Sequence, residues 1–110
     1  MSAKFEIKKS TNDHFHFNLK AANGEIILSS QMYTTKQAAE HGIESVKTNA
    51  PHHDRFEKNA SKDGQHYFVL KAANGEVIGK SEMYTSTGGM ENGIQSVMKN
   101  GPAAEILDLA

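Results

Sequence analysis

The sequence predicts an α+β domain made of two tandem repeats, each running strand, strand, strand, helix, with a final strand at Glu105–Leu109 completing one sheet. Three observations carry this prediction. Shifting the chain against itself by 51 residues pairs Phe5 with Phe56, Leu19 with Leu70, Tyr33 with Tyr84 and Pro51 with Pro102 without a gap, and 23 of 47 aligned positions are identical. Within each copy the apolar period changes from that of a strand to that of a helix. The heptapeptide LKAANGE stands at Leu19–Glu25 and again at Leu70–Glu76, a turn signal between two β-rich runs. With 110 residues, 37% of them hydrophobic, the chain has material for one modest core, so the repeats (about 4–54 and 55–110) form a single pseudo-symmetric domain.

The elements follow in order. KFE at Lys4–Glu6 opens the first copy, RFE at Arg55–Glu57 opens the second, and ILD at Ile106–Asp108 closes the chain at the same spacing. Phe15, Phe17 and Leu19 alternate with His14, His16, Asn18 and Lys20, the pattern of a half-buried strand. Asn-Gly then supports either a two-residue type I′ hairpin or a three-residue Ala-Asn-Gly loop with glycine in the left-handed region. The shorter loop places Leu70 opposite Gly79; the longer one places Leu70 opposite Ile78 and Leu19 opposite Ile27. Opposed residues share a face, which favours the three-residue loop.

After the third strand, Ala39, Ile43 and Val46 recur at helical spacing, as do Met90, Ile94 and Val97 in the second copy. Thr34 and Thr35 are N-cap residues by type, and Pro51 and Pro102 stop the helices. Thr87-Gly88-Gly89 replaces Lys36-Gln37-Ala38, and interior glycine costs about 1 kcal/mol against alanine. The second helix is therefore expected to start later or fray.

The pattern FxLKAANGExI, followed by S-x-M-Y-T and G-I-x-S-V-x-x-N, occurs twice, through Phe17–Asn49 and Phe68–Asn100, and resembles the YegP-like family of small bacterial proteins. The resemblance implies two β-β-β-α-β units in one antiparallel sheet, with terminal strands exchanged between units and both helices packed on one face. Under that arrangement Arg55–Lys58 closes the first copy while opening the second, and Ile106–Leu109 closes the second. The family carries no established activity, so it transfers no catalytic residue.

Composition narrows function. Twelve basic residues against 13 acidic ones give a net charge of −1, no general pull toward nucleic acid or anionic membrane. There is no apolar run of about 18 residues and no signal-peptide pattern at the N-terminus, so the chain reads as cytoplasmic. The absence of cysteine excludes disulfides, thiolate metal sites and cysteine nucleophiles. No catalytic residue, cofactor or metal site is predicted.

Local motifs are weighed against their structural roles. Gly75–Ser81 is one residue short of a phosphate-binding P-loop, and its interior belongs to a strand. Thr85, Ser86, Thr87, Gly88 and Gly89 form a candidate anion site at a helix N-terminus, with ordinary capping as the competing account. His14 with His16, and His52 with His53, are adjacent pairs, but none of the six histidines has a histidine counterpart in the other copy, which points to solvent-facing roles. Tyr33 and Tyr84 read as core-edge seals. Ser45 and Ser96 read as small residues permitting close packing, and Gly42 and Gly93 as sites of close helix-to-sheet approach.

Helices on one side leave the other sheet face open. Alternation assigns Lys4, Glu6, Lys8, His14, His16, Asn18 and Lys20 to that face, with Tyr67, Val69 and Lys71 from the second copy. Tyr67 and Val69 there form either a binding patch or a stabilising cross-strand pair. The reading is a non-enzymatic interaction module that binds a partner, a protein among the options, through the open face (His14, His16, Asn18, Lys20, Tyr67, Val69, Lys71) or an edge strand. Alternatives are weak binding of RNA or single-stranded DNA through Lys8, Lys20, Tyr67 and Lys71, and recognition or turnover of an anionic small molecule at Thr85–Gly89. Because the two units complete one another, the sequence predicts a monomer.

Overall fold

A computed structural model describes residues 3–10 and 12–110. The chain forms β1 (Lys4–Lys9), β2 (Phe15–Lys20), β3 (Ile26–Ser29), α1 (Lys36–Asn49), a short 3-10 turn (His53–Arg55), β4 (Phe56–Ala60), β5 (His66–Lys71), β6 (Val77–Lys80), α2 (Thr87–Asn100) and β7 (Glu105–Asp108). One seven-stranded sheet runs in the order β4-β5-β6-β3-β2-β1-β7, with both helices packed against it. Every pairing is antiparallel except that of β1 with β7, so the sheet is mixed.

The last strand is exchanged between the repeats, as expected. β7, which follows α2 of the second copy, lies beside β1 of the first, so Ile106–Leu109 adds to the first copy rather than closing the second. Nor does Arg55–Lys58 close the first copy, because β4 pairs with β5 alone. The echo of KFE in ILD is also out of step with the pairing, since Phe5 stands opposite Ile106, Glu6 opposite Leu107 and Ile7 opposite Asp108. A one-residue slip turns a side chain to the other face. Asp108 is thereby kept off the Glu6 row and meets Lys36 of α1, Nζ to Oδ2 2.9 Å.

The repeated heptapeptide is the predicted three-residue loop. Gly24 N–H donates to Ala21 O and Ala21 N–H to Glu25 O, each at 2.9 Å, and the glycines sit at φ 87° and 88° in the two copies. The register beyond it differs from expectation. A bulge at Ile27 and Ile78 shifts the ladder, so Leu19 stands opposite Leu28 and Leu70 opposite Gly79. The bulge lets Ile27 enter the core beside Leu28, and Ile78 enters it at the equivalent position.

The core lies between sheet and helices. Phe5, Ile7, Phe17 and Leu19 from the first copy and Phe68 and Leu70 from the second meet Ile43, Val46, Ile94 and Val97, all fully buried. Burying one such side chain contributes about 1.5–3 kcal/mol. Phe17 meets Phe5 edge-on at 5.9 Å and stacks on Tyr33 at 6.2 Å; Phe68 repeats this with Phe56 and Tyr84 at 5.6 and 6.3 Å.

Those tyrosines explain the helix glycines. A Cβ on Gly42 would come within 2.9 Å of Tyr33 Cζ and of Phe17, and one on Gly93 within 2.7 Å of Tyr84 Cζ. The close approach is therefore to a tyrosine ring lying along the helix, not to sheet backbone. The two helices have equal length, and α2 does not start late. Ser86 Oγ accepts from Gly89 N–H at 3.0 Å, as Thr35 Oγ1 does from Ala38 N–H, so the cap fixes the first turn despite its glycines.

Candidate functional site

The open face is organised by one row crossing all seven strands: Leu107, Glu6, Asn18, Ser29, Lys80, Val69 and Glu57, each opposite the next. The expected face residues lie on this side, in two groups. His16, Asn18 and Lys20 belong to β2, with His14 just before it; Tyr67, Val69 and Lys71 belong to β5. β3 and β6 stand between them, so the groups are about 14 Å apart at three strand spacings. Ser29 and Lys80 join them, and sequence reasoning placed neither on the face. The signal available was the alternation in β3 and β6, blurred by the bulge.

The charges on this face are matched internally. Lys20 Nζ lies 3.0 Å from Glu6 Oε1, and the equivalent Lys71 lies 2.7 Å from Glu57 Oε2. The hydrogen bond from Lys71, helped by Asn59, holds the Glu57 carboxyl below its ordinary range. Lys8 is the outer member of the Glu6 cluster at 3.9 Å. Lys80 Nζ sits 4.8 Å from the centre of the Tyr67 ring, a cation–π contact that occupies the ring face a nucleobase would stack on. The lysines proposed for nucleic acid thus already have partners, and Tyr67 is a cross-strand residue opposite Asn59.

The other motifs resolve into structural roles. Gly75 closes the hairpin, Val77–Lys80 is β6, and Ser81 Oγ accepts from Phe68 N–H at 2.9 Å, so Gly75–Ser81 wraps no phosphate. Ser30 does the same for Phe17 N–H at 2.9 Å. At Thr85–Gly89, Ser86 uses the Gly89 N–H for its cap. His14 Nδ1 is 3.0 Å from Asn12 O, and His53 Nε2 is 3.0 Å from Glu91 Oε1. Among the described residues, no group of three or more histidine, aspartate or glutamate side chains is placed to hold a metal ion.

Ser45 and Ser96 do more than save space: Asn49 Nδ2 donates to Ser45 Oγ at 3.3 Å, and Asn100 Nδ2 to Ser96 Oγ at 3.1 Å. Asn49 Oδ1 in turn accepts from Arg55 Nη1, tying the end of α1 to the start of β4. The phenols of Tyr33 and Tyr84 are half-buried, and burial pushes both upward from 10.0.

The two edges of the sheet differ. β7 exposes Ile106 and Leu107, Leu109 just beyond it is exposed as well, and beside the strand a groove of about 520 Å³ is lined by Lys4, Glu6, Lys20, the Ala21–Gly24 loop and Glu105–Leu107. β4 is charged. Lys58 replaces Ile7 in the repeat and reaches Glu91 Oε2 of α2 at 2.6 Å. This substitution is visible in the internal alignment, and sequence reasoning passed over it.

A family model described as a domain of unknown function (DUF1508) matches residues 10–57 and again 61–108. A UPF0339 protein of Shewanella oneidensis is 53% identical over 109 residues, covering 99% of both chains, and the UPF0339 protein YegP of Escherichia coli K12 is 47% identical over 108 residues, covering 98% of both. Solution NMR structures of the Shewanella oneidensis UPF0339 protein and of Escherichia coli YegP each superpose with a TM-score of 0.93 over 99% of this chain, covering 92% and 94% of those chains at 53% and 47% identity.

Proposed function

We propose that this chain, which belongs to the YegP-like UPF0339 family of small bacterial proteins, is a non-enzymatic interaction module that engages a protein partner through the uncovered sheet face and the edge strand β7. The observation that carries this reading is the exposed apolar run of Ile106 and Leu107 on an edge strand, continued by Leu109 just past it. An edge strand presents unpaired backbone donors and acceptors, and apolar side chains on both sides of it supply burial to a strand laid alongside. Pairing of Lys20 and Lys71 with glutamates supports a partner read by shape and backbone rather than by phosphate charge.

The test is a backbone amide NMR titration of the labelled protein with cell-lysate fractions separated into protein, nucleic acid and small molecules. The expected result is a set of shifts from the protein fraction on Glu105–Leu109 and His14–Lys20. Salt-sensitive shifts from the nucleic-acid fraction on Lys8, Lys20, Tyr67 and Lys71, or small-molecule shifts confined to Thr85–Gly89, would overturn it. The free protein is expected to keep a monomeric mass at all concentrations; a stable dimer through β7 would make the partner of the apolar strip a second copy.

A further inference from the structure

We propose that the outer edge of β4 takes an extended segment of a different protein as an eighth strand, parallel to β4, and that this segment carries two consecutive aliphatic residues followed by a carboxylate. The inference rests on the reading of the chain as an interaction module and adds a second surface and the chemistry of its occupant.

The chain contains the template. β1 and β4 are equivalent in the repeat, and the outer edge of β1 is covered by β7 in parallel, whereas β4 is the last strand at its end of the sheet. Matching the two halves requires one more strand beside β4. In the template Phe5, Glu6 and Ile7 stand opposite Ile106, Leu107 and Asp108. Shifting by the repeat length puts Phe56, Glu57 and Lys58 opposite the corresponding residues of the incoming strand.

Two features of β4 fit that occupant. A groove of about 380 Å³ runs beside it, lined by Arg55, Phe56, Glu57 and Lys71–Ala73, among others. Lys4, Glu6 and Lys20–Ala22, the equivalents of Arg55, Glu57 and Lys71–Ala73, line the first-copy groove with Glu105–Leu107. Lys58, in place of Ile7, puts a cation opposite the position that Asp108 holds in the template, on the side facing α2, where it now meets Glu91. An inward lysine on an edge strand discourages indiscriminate pairing. It selects for a segment that brings its own carboxylate, because a carboxylate there can share the ammonium with Glu91 whereas a basic residue meets a like charge. The β7 strand of a second copy is a poor occupant, since its own β1 and the Lys36–Asp108 ion pair retain it.

The probe is the synthetic decapeptide GPAAEILDLA, titrated into the labelled full chain. Shifts are expected at Arg55–Ala60 and not at Lys4–Lys9. A nitroxide on the peptide N-terminus should broaden the Arg55 end of β4 more than the Ala60 end, as parallel pairing requires. Lys58→Glu should weaken binding roughly tenfold, and exchanging the aspartate of the peptide for lysine should restore it. Shifts at Lys4–Lys9 would mean that the peptide displaces β7, and broadening at the Ala60 end would mean antiparallel docking; either overturns the proposal, as does no response at Arg55–Ala60 with millimolar peptide. Concentration-dependent shifts at Arg55–Ala60 without peptide would make a second copy the occupant and overturn the choice of partner. Failure of the peptide alongside protein-fraction shifts on β7 would sink this inference and leave the interaction-module reading intact; failure of both would remove both.

Discussion

The isobutyl group of Leu28 occupies the space that a side chain on Gly79 would need: a Cβ on Gly79 would stand 2.7 Å from both Cγ and Cδ2 of Leu28. The two positions are repeat equivalents, and they meet because β3 and β6 pair at the centre of the sheet. Two leucines there would collide and two glycines would leave a void, so the copies have divided the volume unequally. Gly79→Leu is expected to destabilise the protein by about 1–3 kcal/mol through overpacking. Leu28→Ala is expected to cost about 2–5 kcal/mol. The interchange of Leu28→Gly with Gly79→Leu should recover part of the loss, and urea denaturation of the singles and the double measures that coupling. Strict additivity would contradict the shared-volume account.

Gly42→Ala tests the tyrosine that lies along α1. The gain in helix propensity is about 1 kcal/mol, and the overpacking against Tyr33 and Phe17 is expected to exceed it, giving net destabilisation. Tyr33→Phe in the same chain removes the hydroxyl nearest the new methyl but keeps the ring, so thermal unfolding should show partial recovery. A Gly42→Ala protein more stable than the parent would show that the ring yields freely.

Ser30 and Ser81 supply the acceptor that the ladder lacks for the N–H groups of Phe17 and Phe68. Ser81→Ala leaves a buried donor without a partner and is expected to cost about 1–3 kcal/mol, Ser30→Ala less because its site is more open. Hydrogen exchange provides the local readout: the Phe68 amide should lose protection in Ser81→Ala while the equivalent Phe17 amide keeps it.

The carboxyl of Glu91 is held down from 4.5 to about 2, first by the hydrogen bond from Lys58 and then by that from His53. A folded value below the unfolded one makes this contribution complete above pH of about 4.5 and progressively lost as the pH falls toward 2. In a carboxyl-carbon NMR titration, Lys58→Ala should move the Glu91 midpoint upward toward 4.5. An unchanged midpoint would mean that Lys58 is not the anchor.

The fold was readable because its signals are local and doubled. Phe15, Phe17 and Leu19 announce a strand, Ala39, Ile43 and Val46 a helix, and Asn23-Gly24 a loop, each confirmed by its counterpart 51 residues on. What escaped is nonlocal. The slip that turns Asp108 toward Lys36 is decided across the whole chain. The bulge at Ile27 and Ile78 escaped for the opposite reason: a single extra residue leaves the apolar composition of the strand unchanged while moving its register. On the open face, alternation placed Lys20 and Lys71 correctly but said nothing of Glu6 and Glu57 as their partners, because that pairing needs the order of strands.

The parallel pairing of β1 with β7 also has a meaning for biosynthesis. Ile106 is synthesised about 100 residues after its neighbour Phe5. At about 5–20 residues per second, β1 waits roughly 5–20 s for the strand that covers its outer edge. The hairpin of β1 with β2 can form in that interval, but the nascent chain carries a bare strand border until β7 is made, and a ribosome stalled between α2 and β7 would display it. The codons of β7 therefore seal a strand made long before them, and a truncation within β7 uncovers β1, far away in sequence.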